Sequence, residues 1–533
     1  MRSSRFSWLF VLGLAASTVL PGCGGDDDDK GAAGSGGTGG SGGTAGSAGS
    51  GGSAGSAGSA GSAGSAGTGG TAGSAGSAGT GGTAGSAGSS GTAGSAGSAG
   101  SGDGNDSFDQ AQPVDSSGVQ AALEDPSTDA DFYTFTANAG EIWLISASSH
   151  PSGTEQDPGY IDTFIQLYDA NKALVATNDD GYPRSSTDST LITVLPSTGT
   201  YYVKIVEWCN SPTADPTFCT ADYFTSVTNL DYVIGAQVVN PTDPGTKVEA
   251  EPNDTSATAG TDLAYAPVSG STGQYYLSLL NGKLPVSDTA DWYSFTIPAD
   301  VAFDATSRAI ASIYVPWGAT TGNGSNLKVG NVTVYSADGA TEISGFDFSS
   351  EPDNTGRVNL HIPVTPGQKY FVKATNGGAE ADGAGDFYFL YHTIGSGNPV
   401  ETDASNNTAP GETLTGSDQG NSTTGYFVEG DLPTGDTDFF AIDTNAQPTV
   451  SVSCAGQRAG SGLRNLKVTV LNGATVVTSA TETDAADLVI DHFDLGANIP
   501  TSLTIKIEAG TADATNTSRN YLCGFRVGPP ATP

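Results

Sequence analysis

Downstream of residue 102, hydrophobic and polar positions alternate in short runs, and helical periodicity is almost absent. The runs are rich in Val, Ile, Thr, Tyr and Phe, and Gly, Pro, Asn or Asp separates each run from the next. Such alternation over about four to eight residues, with turn residues between the runs, is typical of half-buried β-strands. The pattern therefore predicts an all-β protein built from antiparallel β-sandwiches.

One strand pattern occurs three times, with Asp residues at the strand start followed by aromatic and apolar residues. An acidic, Asn-bearing turn precedes each copy. The three strand starts are Asp129–Phe135, Asp288–Phe295 and Asp436–Ile442, and the preceding turns begin at Asp103, Glu249 and Glu401. Self-similarity of this kind marks repeated structural units. It predicts three tandem domains, at residues 103–240, 247–398 and 401–530.

The first repeat also resembles a known family. The segments Asp131-Phe-Tyr-Thr-Phe, Asp162-Thr-Phe-Ile-Gln-Leu-Tyr and Leu195-Pro-Ser-Thr-Gly-Thr-Tyr-Tyr are similar to bacterial pre-peptidase C-terminal domains. Both ends of the second repeat share the likeness, and the third repeat shares mainly its strand start. The resemblance implies a jelly-roll β-sandwich, of a family found beside secreted proteases and related to the collagen-binding domains of clostridial collagenases. We therefore expect three tandem jelly-roll-like sandwiches.

In those collagen-binding relatives, an acidic segment ahead of the sandwich returns to meet two Asp residues at a strand start. The second repeat matches this pattern residue for residue, and its predicted calcium ligands are Glu249, Glu251, Asn253, Asp254, Asp288 and Asp291. Calcium takes about six to eight oxygen ligands in flexible geometry. The alternative is a solvated acidic linker in which Asp288 only caps a turn. The sequence favours structural calcium, because the carboxylates would otherwise repel each other.

The other two repeats keep only part of the ligand pattern. The first retains Asp103, Asn105, Asp106 and Asp131, and Asp129 takes the place of the missing strand-start residue. It is predicted as a second, weaker calcium site. The third repeat lacks two of the acidic positions and is the least favoured of the three.

The cysteines indicate an oxidising compartment, because four remain when Cys23 is set aside. Cys209 and Cys219 bracket a Pro-containing insertion, and a disulfide between them contributes about 3 kcal/mol in the chain-entropy model. Cys454 and Cys523 alternate in phase with apolar residues, so both are expected to point into the third core. We predict a second disulfide there; the alternative is two buried thiols.

The amino-terminal segment predicts export. Two Arg residues flank the start of an apolar run, Phe6–Leu20, which has the length of a signal-peptide core and is too short to span a bilayer. The following Leu20-Pro-Gly-Cys23 resembles a bacterial lipobox, which implies a signal peptide at 1–22 and a lipidated Cys23. The chain would then be attached to a bacterial outer membrane or cell surface through lipid alone. The alternative is an ordinary signal peptide followed by an incidental cysteine.

Residues 31–102 contain only Gly, Ser, Ala and Thr, with 31 Gly and no charge. Such a segment buries too little apolar surface to offset its chain entropy, so we expect the linker at 23–102 to be disordered. Its root-mean-square span would be roughly 45 to 50 Å. The rest, residues 103–533, carries 53 acidic and 16 basic residues, a net charge of −37. This charge argues against a nucleic-acid partner, because it repels phosphate.

Catalytic motifs are not evident. The histidines are His150, His361, His392 and His492, and none stands in a His-Glu-x-x-His arrangement, so a zinc protease is unsupported. His361 and His392 lie in strand-like runs and are expected to be partly exposed. We predict that the protein is not an enzyme. A secreted hydrolase that uses acidic residues stays open, because carboxylate pairs for glycoside hydrolysis follow no spacing rule.

One aromatic run carries a further signal. In Phe387–His392, one face of the strand carries Phe387, Phe389 and Tyr391. The other face carries Tyr388, Leu390 and His392. One face must belong to the core, and the other is either a binding strip or a contact between domains.

Together these patterns predict a non-catalytic cell-surface lipoprotein. Its calcium-stabilised sandwiches would bind, or adhere to, an extracellular polymer or protein. The binding role depends on the family resemblance, because a fold does not fix a function. The alternatives are the hydrolase and a spacer or scaffold.

Overall fold

The structure is a computed structural model that describes residues 104–529 with short gaps. The gaps are 151–158, 180–186, 213, 215, 217, 261, 269–274, 286–287, 302, 304–305, 316–322, 349–358, 380–384, 403–405, 420–421 and 484–487. The predicted signal peptide, Cys23, the linker at 23–102 and Asp103 lie outside the described residues. In the part of the chain that is described, no helix has both the length and the apolar character needed to cross a membrane.

The described chain is almost entirely β, as the alternation predicted. Sandwich 1 contains β1 (Gln112–Pro113), β2 (Val119–Ala122), β3 (Asp131–Ala137), β4 (Ile142–Ser148), β5 (Thr163–Tyr168), β6 (Leu174–Asn178), β7 (Ser189–Val194), β8 (Gly199–Glu207) and β9 (Asp231–Val239). Sandwich 2 contains β10 (Thr246–Val248), β11 (Ala266–Val268), β12 (Tyr275–Lys283), β13 (Ala290–Thr296), β14 (Ser307–Tyr314), β15 (Leu327–Tyr335), β16 (Glu342–Asp347), β17 (Asn359–Pro363), β18 (Lys369–Ala379) and β19 (Phe387–Pro399). Sandwich 3 contains β20 (Glu412–Thr413), β21 (Ser417–Asp418), β22 (Thr424–Asp431), β23 (Thr437–Asp443), β24 (Thr449–Ala455), β25 (Leu463–Asn472), β26 (Thr475–Thr481), β27 (Leu488–Asp494), β28 (Ser502–Ala512) and β29 (Asn520–Gly528).

The three sandwiches share one strand order. The two sheets run β3-β8-β5-β6 and β2-β9-β4-β7 in sandwich 1, β13-β18-β15-β16 and β12-β19-β14-β17 in sandwich 2, and β23-β28-β25-β26 and β22-β29-β24-β27 in sandwich 3. These neighbours pair antiparallel, whereas the short β1, β10 and β20 add parallel pairs at the opposite edges. The fold class is therefore confirmed. In each sandwich two edge strands meet at one side, namely β6 with β7, β16 with β17, and β26 with β27. We call these the open edges.

Each sandwich has its own hydrophobic core, which follows from the two-residue period of its strands. In β3, for example, Tyr133, Phe135 and Ala137 point inward and pack against residues of the facing sheet such as Ile145. The corresponding strand of sandwich 2 buries Tyr293 and Phe295 in the same way. Burying one such large apolar side chain contributes about 1.5 to 3 kcal/mol.

Both predicted disulfides are present. Cys209–Cys219 lies in an insertion between β8 and β9, which also holds a short 3₁₀ helix, Trp208–Asn210, and α1 (Ala221–Ser226). Cys454–Cys523 joins β24 to β29 inside the third core, where the alternation placed both side chains. A covalent cross-link there limits the unfolded states of sandwich 3.

Sandwiches 1 and 2 meet through a separate apolar cluster. Its members from sandwich 1 are Ile142, Leu144, Ile192, Val194 and Val239, and those from sandwich 2 are Leu279, Tyr314, Phe387, Phe389 and Tyr391. The aromatic face of β19 therefore makes a contact between domains, and it is not an open binding strip. We call this contact the apolar junction.

Sandwiches 2 and 3 meet through charged side chains. The Arg308 guanidinium lies with its Nε 3.2 Å from Glu429 Oε2 and its Nη1 2.8 Å from Asp431 Oδ2. His361 Nε2 lies 3.0 Å from the other Glu429 oxygen, and Asn520 Nδ2 donates to the His361 carbonyl at 3.1 Å. We call this contact the polar junction.

The expectation that His361 and His392 are partly exposed is wrong, since their exposed fractions are 3% and 0%. Sandwich 3 covers His361. His392 points into the core of sandwich 2, where its Nδ1 lies 3.0 Å from the Tyr265 hydroxyl and burial lowers its pKa to about 3. A strand pattern alone does not reveal cover supplied by another sandwich.

Candidate metal site and its repeats

The strand-start carboxylate of sandwich 2 is held by tyrosines. Asp291 is the second residue of β13 and is fully buried. The Tyr388 hydroxyl of β19 donates to Asp291 Oδ2 at 2.7 Å, and the Tyr293 hydroxyl lies 2.7 Å from that of Tyr388. Tyr293 in turn donates to Glu249 Oε2 at 2.9 Å. These hydrogen bonds connect the buried strand start to the acidic linker.

The acidic linker folds back along the sheet, as the resemblance implied. Glu249 Oε1 accepts the Lys283 backbone N–H at 2.8 Å, which fixes the linker to the end of β12. The Asn253 carbonyl accepts the Trp292 N–H at 2.8 Å, and the Asn253 N–H donates to Glu251 Oε2 at 3.0 Å. Backbone hydrogen bonds thus place the acidic side chains beside the start of β13.

Two overlapping groups of carboxylates result. One group is Glu249, Glu251 and Asp291, and the other is Glu251, Asp254 and Asp288, with ligand oxygens in each group within 4.8 Å of one another. Glu251 belongs to both groups. Asp291 of the first group is buried, whereas Glu251 and Asp254 are exposed. The structure therefore brings together all of the predicted carboxylates of this repeat.

The raised pKa values of two of these carboxyl groups show that their surroundings disfavour negative charge. Burial raises the pKa of Asp291 to about 9, and the Glu249 and Asp288 carboxylates add to the shift against the opposing Tyr388 hydrogen bond. Burial and the neighbouring Glu251 also raise the pKa of Glu249. Removal from water and mutual repulsion both disfavour the charged carboxylates, and a bound cation would reverse both effects.

The donor set fits calcium. Calcium–oxygen distances are about 2.3 to 2.6 Å, and the ligand oxygens of each group all lie within 4.8 Å of one another, so one ion could contact every member of a group. All members of these groups are carboxylates, which suit a hard cation. The shared Glu251 would bridge the two groups.

Sandwich 1 has a reduced version of the same arrangement. Asp106, Asp129 and Asp131 bring their oxygens within 4.8 Å, and the Asn105 carbonyl accepts the Phe132 N–H at 2.8 Å. Asp131 is fully buried, as Asp291 is. Asp129 thus stands where the sequence placed a substitute ligand, and the remaining predicted residue, Asp103, lies outside the described residues.

Sandwich 3 keeps the buried strand-start carboxylate but has fewer acidic side chains close to it. The Tyr521 hydroxyl lies 2.8 Å from Asp438 Oδ2 and 2.9 Å from Glu401 Oε2, and Asn406 Nδ2 donates to the same Glu401 oxygen at 2.7 Å. Burial, followed by the Glu401 charge, raises the pKa of Asp438 to about 8. In the described part of sandwich 3, which omits 403–405, no three carboxylates approach as closely as in sandwich 2.

Sequence reasoning missed the tyrosine that binds each buried Asp. Tyr232, Tyr388 and Tyr521 occupy the same position in the last strand of each sandwich, and each donates to the strand-start carboxylate. The repeated signal was available, since a Tyr follows Asp231, Phe387 and Asn520 near the start of these strands. Aligning the ends of the repeats as well as their beginnings would have found it.

Small residues leave space for these tyrosines. Gly282 pairs with Tyr388 and Gly430 pairs with Tyr521, and a Cβ at either glycine would collide with the tyrosine ring. Ala121 holds the corresponding place opposite its tyrosine in sandwich 1. The sheet position opposite the tyrosine is thus part of the site.

Comparison with known proteins supports the family resemblance for one repeat. Residues 129–207 match the sequence model of the bacterial pre-peptidase C-terminal domain. The matched range runs from the strand-start Asp129 through β8 of sandwich 1. No curated protein matches the chain.

Solved structures give weaker likenesses. The tandem CBM51 modules of a family 98 glycoside hydrolase from Streptococcus pneumoniae are 10% identical, with 52% of this chain and 84% of that chain covered and a TM-score of 0.15. The M60 catalytic domain with two CBM51 domains of ZmpB from Clostridium perfringens is 8% identical, with 77% of this chain and 34% of that chain covered and a TM-score of 0.15. At such TM-scores these likenesses carry no argument about fold or function.

Proposed function

We propose that the protein is a non-catalytic, cell-surface binding protein whose sandwiches are stabilised by calcium. The observation that carries the proposal is the pair of carboxylate groups that share Glu251 at the start of sandwich 2. Calcium there ties the linker after sandwich 1 to β13 of sandwich 2 and so gives the acidic segment one conformation. Its role is structural, and binding of an extracellular polymer or protein is the function of the assembled sandwiches.

The chemistry of the chain supports an extracellular location. The two disulfides are typical of oxidising compartments. The apolar run that ends before Cys23 supports export, and lipid on Cys23 is the proposed membrane attachment. The linker at 23–102 would then hold the sandwiches away from the surface on which they are displayed. The acidic folded part argues against a nucleic-acid partner.

Calcium removal tests the metal site directly. A ligand that binds only the folded state at about 100 times its Kd adds about 2.7 kcal/mol to the free energy of unfolding, so chelation should lower the urea midpoint measurably. The double variant Asp254→Asn/Asp288→Asn changes exposed or half-buried ligands of the second carboxylate group and should reduce the effect of chelation without harming the core. Asp222→Asn, an exposed acidic change in α1, is the matched control. An unchanged midpoint after chelation of the parent protein would rule out calcium.

Binding is tested by co-sedimentation of the full chain with insoluble polysaccharides, collagen and cell-envelope fractions, with calcium and with chelator. Retention on at least one polymer is expected. Retention nowhere would refute the binding role and leave the spacer role. Turnover of a polysaccharide or peptide substrate by the same preparation would contradict the non-catalytic assignment.

A further inference from the structure

A ring from the linker covers one outer sheet face of sandwich 1. Phe108 packs on three rings of that face, with centroids 4.7, 5.2 and 5.4 Å away: Phe132 of β3, Tyr168 of β5 and Tyr202 of β8. The Lys172 ammonium lies 5.0 Å from the centroid of the Phe108 ring. Phe132 is only 7% exposed under this cover. Sandwich 1 thus supplies its own occupant for the face, a ring with a cation beside it.

Sandwich 2 presents three rings at the corresponding positions. They are Trp292 of β13, Tyr335 of β15 and Phe371 of β18, and we call them the aromatic cup. The equivalent cross-strand pairs are Trp292–Lys373 with Phe132–Lys204, and Tyr335–Phe371 with Tyr168–Tyr202. All three rings of the cup are half-buried. The strand pairing therefore repeats the ring-bearing face of sandwich 1.

The linker of sandwich 2 has no ring to place on the cup. Phe108 is the third residue after Asn105, whose carbonyl accepts the N–H of the first ring-bearing strand residue at 2.8 Å. Ser256 is the third residue after Asn253, whose carbonyl makes the same hydrogen bond at 2.8 Å. Ser256 therefore takes the place of Phe108.

The cation beside Phe108 is also replaced. Lys172 and Gly339 each lie four residues after the tyrosine of their face, and their φ angles are +64° and +65°. A Cβ at Gly339 would lie 2.8 Å from Ser256 Cβ, so these two positions meet in sandwich 2 as well. Trp292 fills part of the place of Phe108, since its ring lies 4.8 Å from that of Tyr335. The cup nevertheless keeps its three rings without the side chains that cover them in sandwich 1.

The edge of the sheet beside the cup is closed to an added strand. The Leu263 N–H donates to the Ser294 carbonyl of β13 at 2.8 Å, and Gly260 bridges Tyr293 in parallel. The linker of the chain therefore takes the position that a peptide would need in order to extend the sheet. A ligand of the cup approaches from the outer face instead.

The chemistry around the cup combines apolar faces with a donor. The Lys373 Nζ lies 5.6 Å from the centroid of the Trp292 ring, and among the described residues Lys373 has no ion pair. Thr333 follows Lys373 in the same cross-strand row. Aromatic faces carry negative charge density and attract polarised C–H groups, and an ammonium donates hydrogen bonds to oxygen. A sugar ring has a C–H face and hydroxyl groups at its rim, so it complements both.

The charge of the chain selects among sugars. Residues 103–533 carry a net charge of −37, which repels anionic polymers. Sandwich 3 offers no comparable face, because Thr504 and Leu471 stand where the cup has Phe371 and Tyr335.

We propose that the aromatic cup of sandwich 2 binds a neutral polysaccharide, with one sugar ring on Trp292 and Tyr335 and its hydroxyl groups accepting from Lys373. The proposal rests on the proposed binding function, for which it names the polymer class and the site. It does not depend on calcium.

Adsorption of the full chain to cellulose, chitin and an insoluble β-glucan tests the ligand class, with collagen and alginate in parallel. Saturable binding to at least one neutral polysaccharide is expected. Tyr335→Leu should raise the apparent dissociation constant at least about tenfold, since it removes a ring of the cup. Tyr168→Leu is the matched control, because Phe108 covers that ring in sandwich 1, and it should bind as the parent does.

A second variant blocks the cup without removing any of its residues. Ser256→Phe supplies the ring that Phe108 supplies in sandwich 1 and should weaken binding at least about tenfold, whereas Ser256→Ala should not. An unfolding midpoint of Ser256→Phe at or above that of the parent shows that the loss comes from occupation of the cup.

The outcomes separate this proposal from the general binding role. Parent-level binding of both Tyr335→Leu and Ser256→Phe overturns the cup as the site. Binding to collagen or alginate alone overturns the neutral polysaccharide and leaves the general binding role in place. Binding to none of the polymers overturns both.

Discussion

The two junctions of this chain use opposite chemistry. The apolar junction places side chains such as Leu144 and Phe389 face to face between two sheets. The polar junction buries Glu429 between Arg308 and His361. The same strand order therefore supports two kinds of contact between neighbours, and the choice is made by the outward positions of the strands.

The comparison indicates that the apolar junction supplies stability and that the polar junction supplies orientation. Apolar burial is favourable and non-directional. A buried ion pair adds little net stability, because desolvation offsets the attraction, but removing one partner is strongly unfavourable. At the polar junction, burial opposes ionisation of Glu429, yet His361 and Arg308 outweigh it and lower its pKa. We expect sandwiches 1 and 2 to behave as one body and sandwich 3 to separate more readily.

The largest effect is expected from Phe389→Ala. This change removes a fully buried ring from the apolar junction and should lower the free energy of unfolding by about 3 to 5 kcal/mol. Limited proteolysis in the linker 240–245 should accelerate as the junction opens. Phe295→Ala, in the core of the same sandwich, should destabilise comparably without selective cleavage of the linker. Equal linker cleavage in both variants would show that the junction does not hold the two sandwiches together.

A smaller effect is expected from Glu429→Gln. The variant keeps hydrogen-bonding atoms but loses the charge that strengthens the bonds to Arg308 and His361, so we expect a total loss of about 1.5 to 3 kcal/mol. Amide hydrogen exchange at Gly345, whose N–H bonds across the junction to Gly460, should become faster.

Glu508→Gln serves as the control for that variant. Glu508 pairs with Lys506 and Lys467 on the surface of sandwich 3, away from the polar junction. The Glu508→Gln variant should leave amide hydrogen exchange at Gly345 unchanged. If both variants change that exchange equally, the polar junction does not depend on the buried Glu429 pair.

The smallest effect is expected from Asp431→Asn. The side chain of Asp431 is 51% exposed, and such surface pairs contribute about 0.2 to 1 kcal/mol. Added salt should remove the difference between variant and parent, because it screens exposed charges. Salt should leave the Phe389→Ala difference in place. A loss in Asp431→Asn that persists in high salt would mean that the pair acts as a buried one.

The strands and the repeats were predictable because they depend on local alternation. The meeting of the acidic linker with Asp291 was predictable from the family resemblance. The tyrosine at the site was not found, since Tyr388 is 97 residues from Asp291 in the sequence and reaches it only through the sheet order. Likewise, His361 has an ordinary strand pattern, and its burial comes from another sandwich. What depends on contacts between distant segments could not be predicted from local patterns.

Identical strand order in adjacent units also creates a hazard during synthesis, because a strand can pair with the wrong neighbour before its own partner emerges. The position opposite the site tyrosine limits this error. A strand with Ala121 cannot replace the one with Gly282, since a Cβ there would collide with the Tyr388 ring. One methyl group thus makes domain swapping between sandwiches 1 and 2 unfavourable, and divergence between the repeats helps each to fold with its own strands.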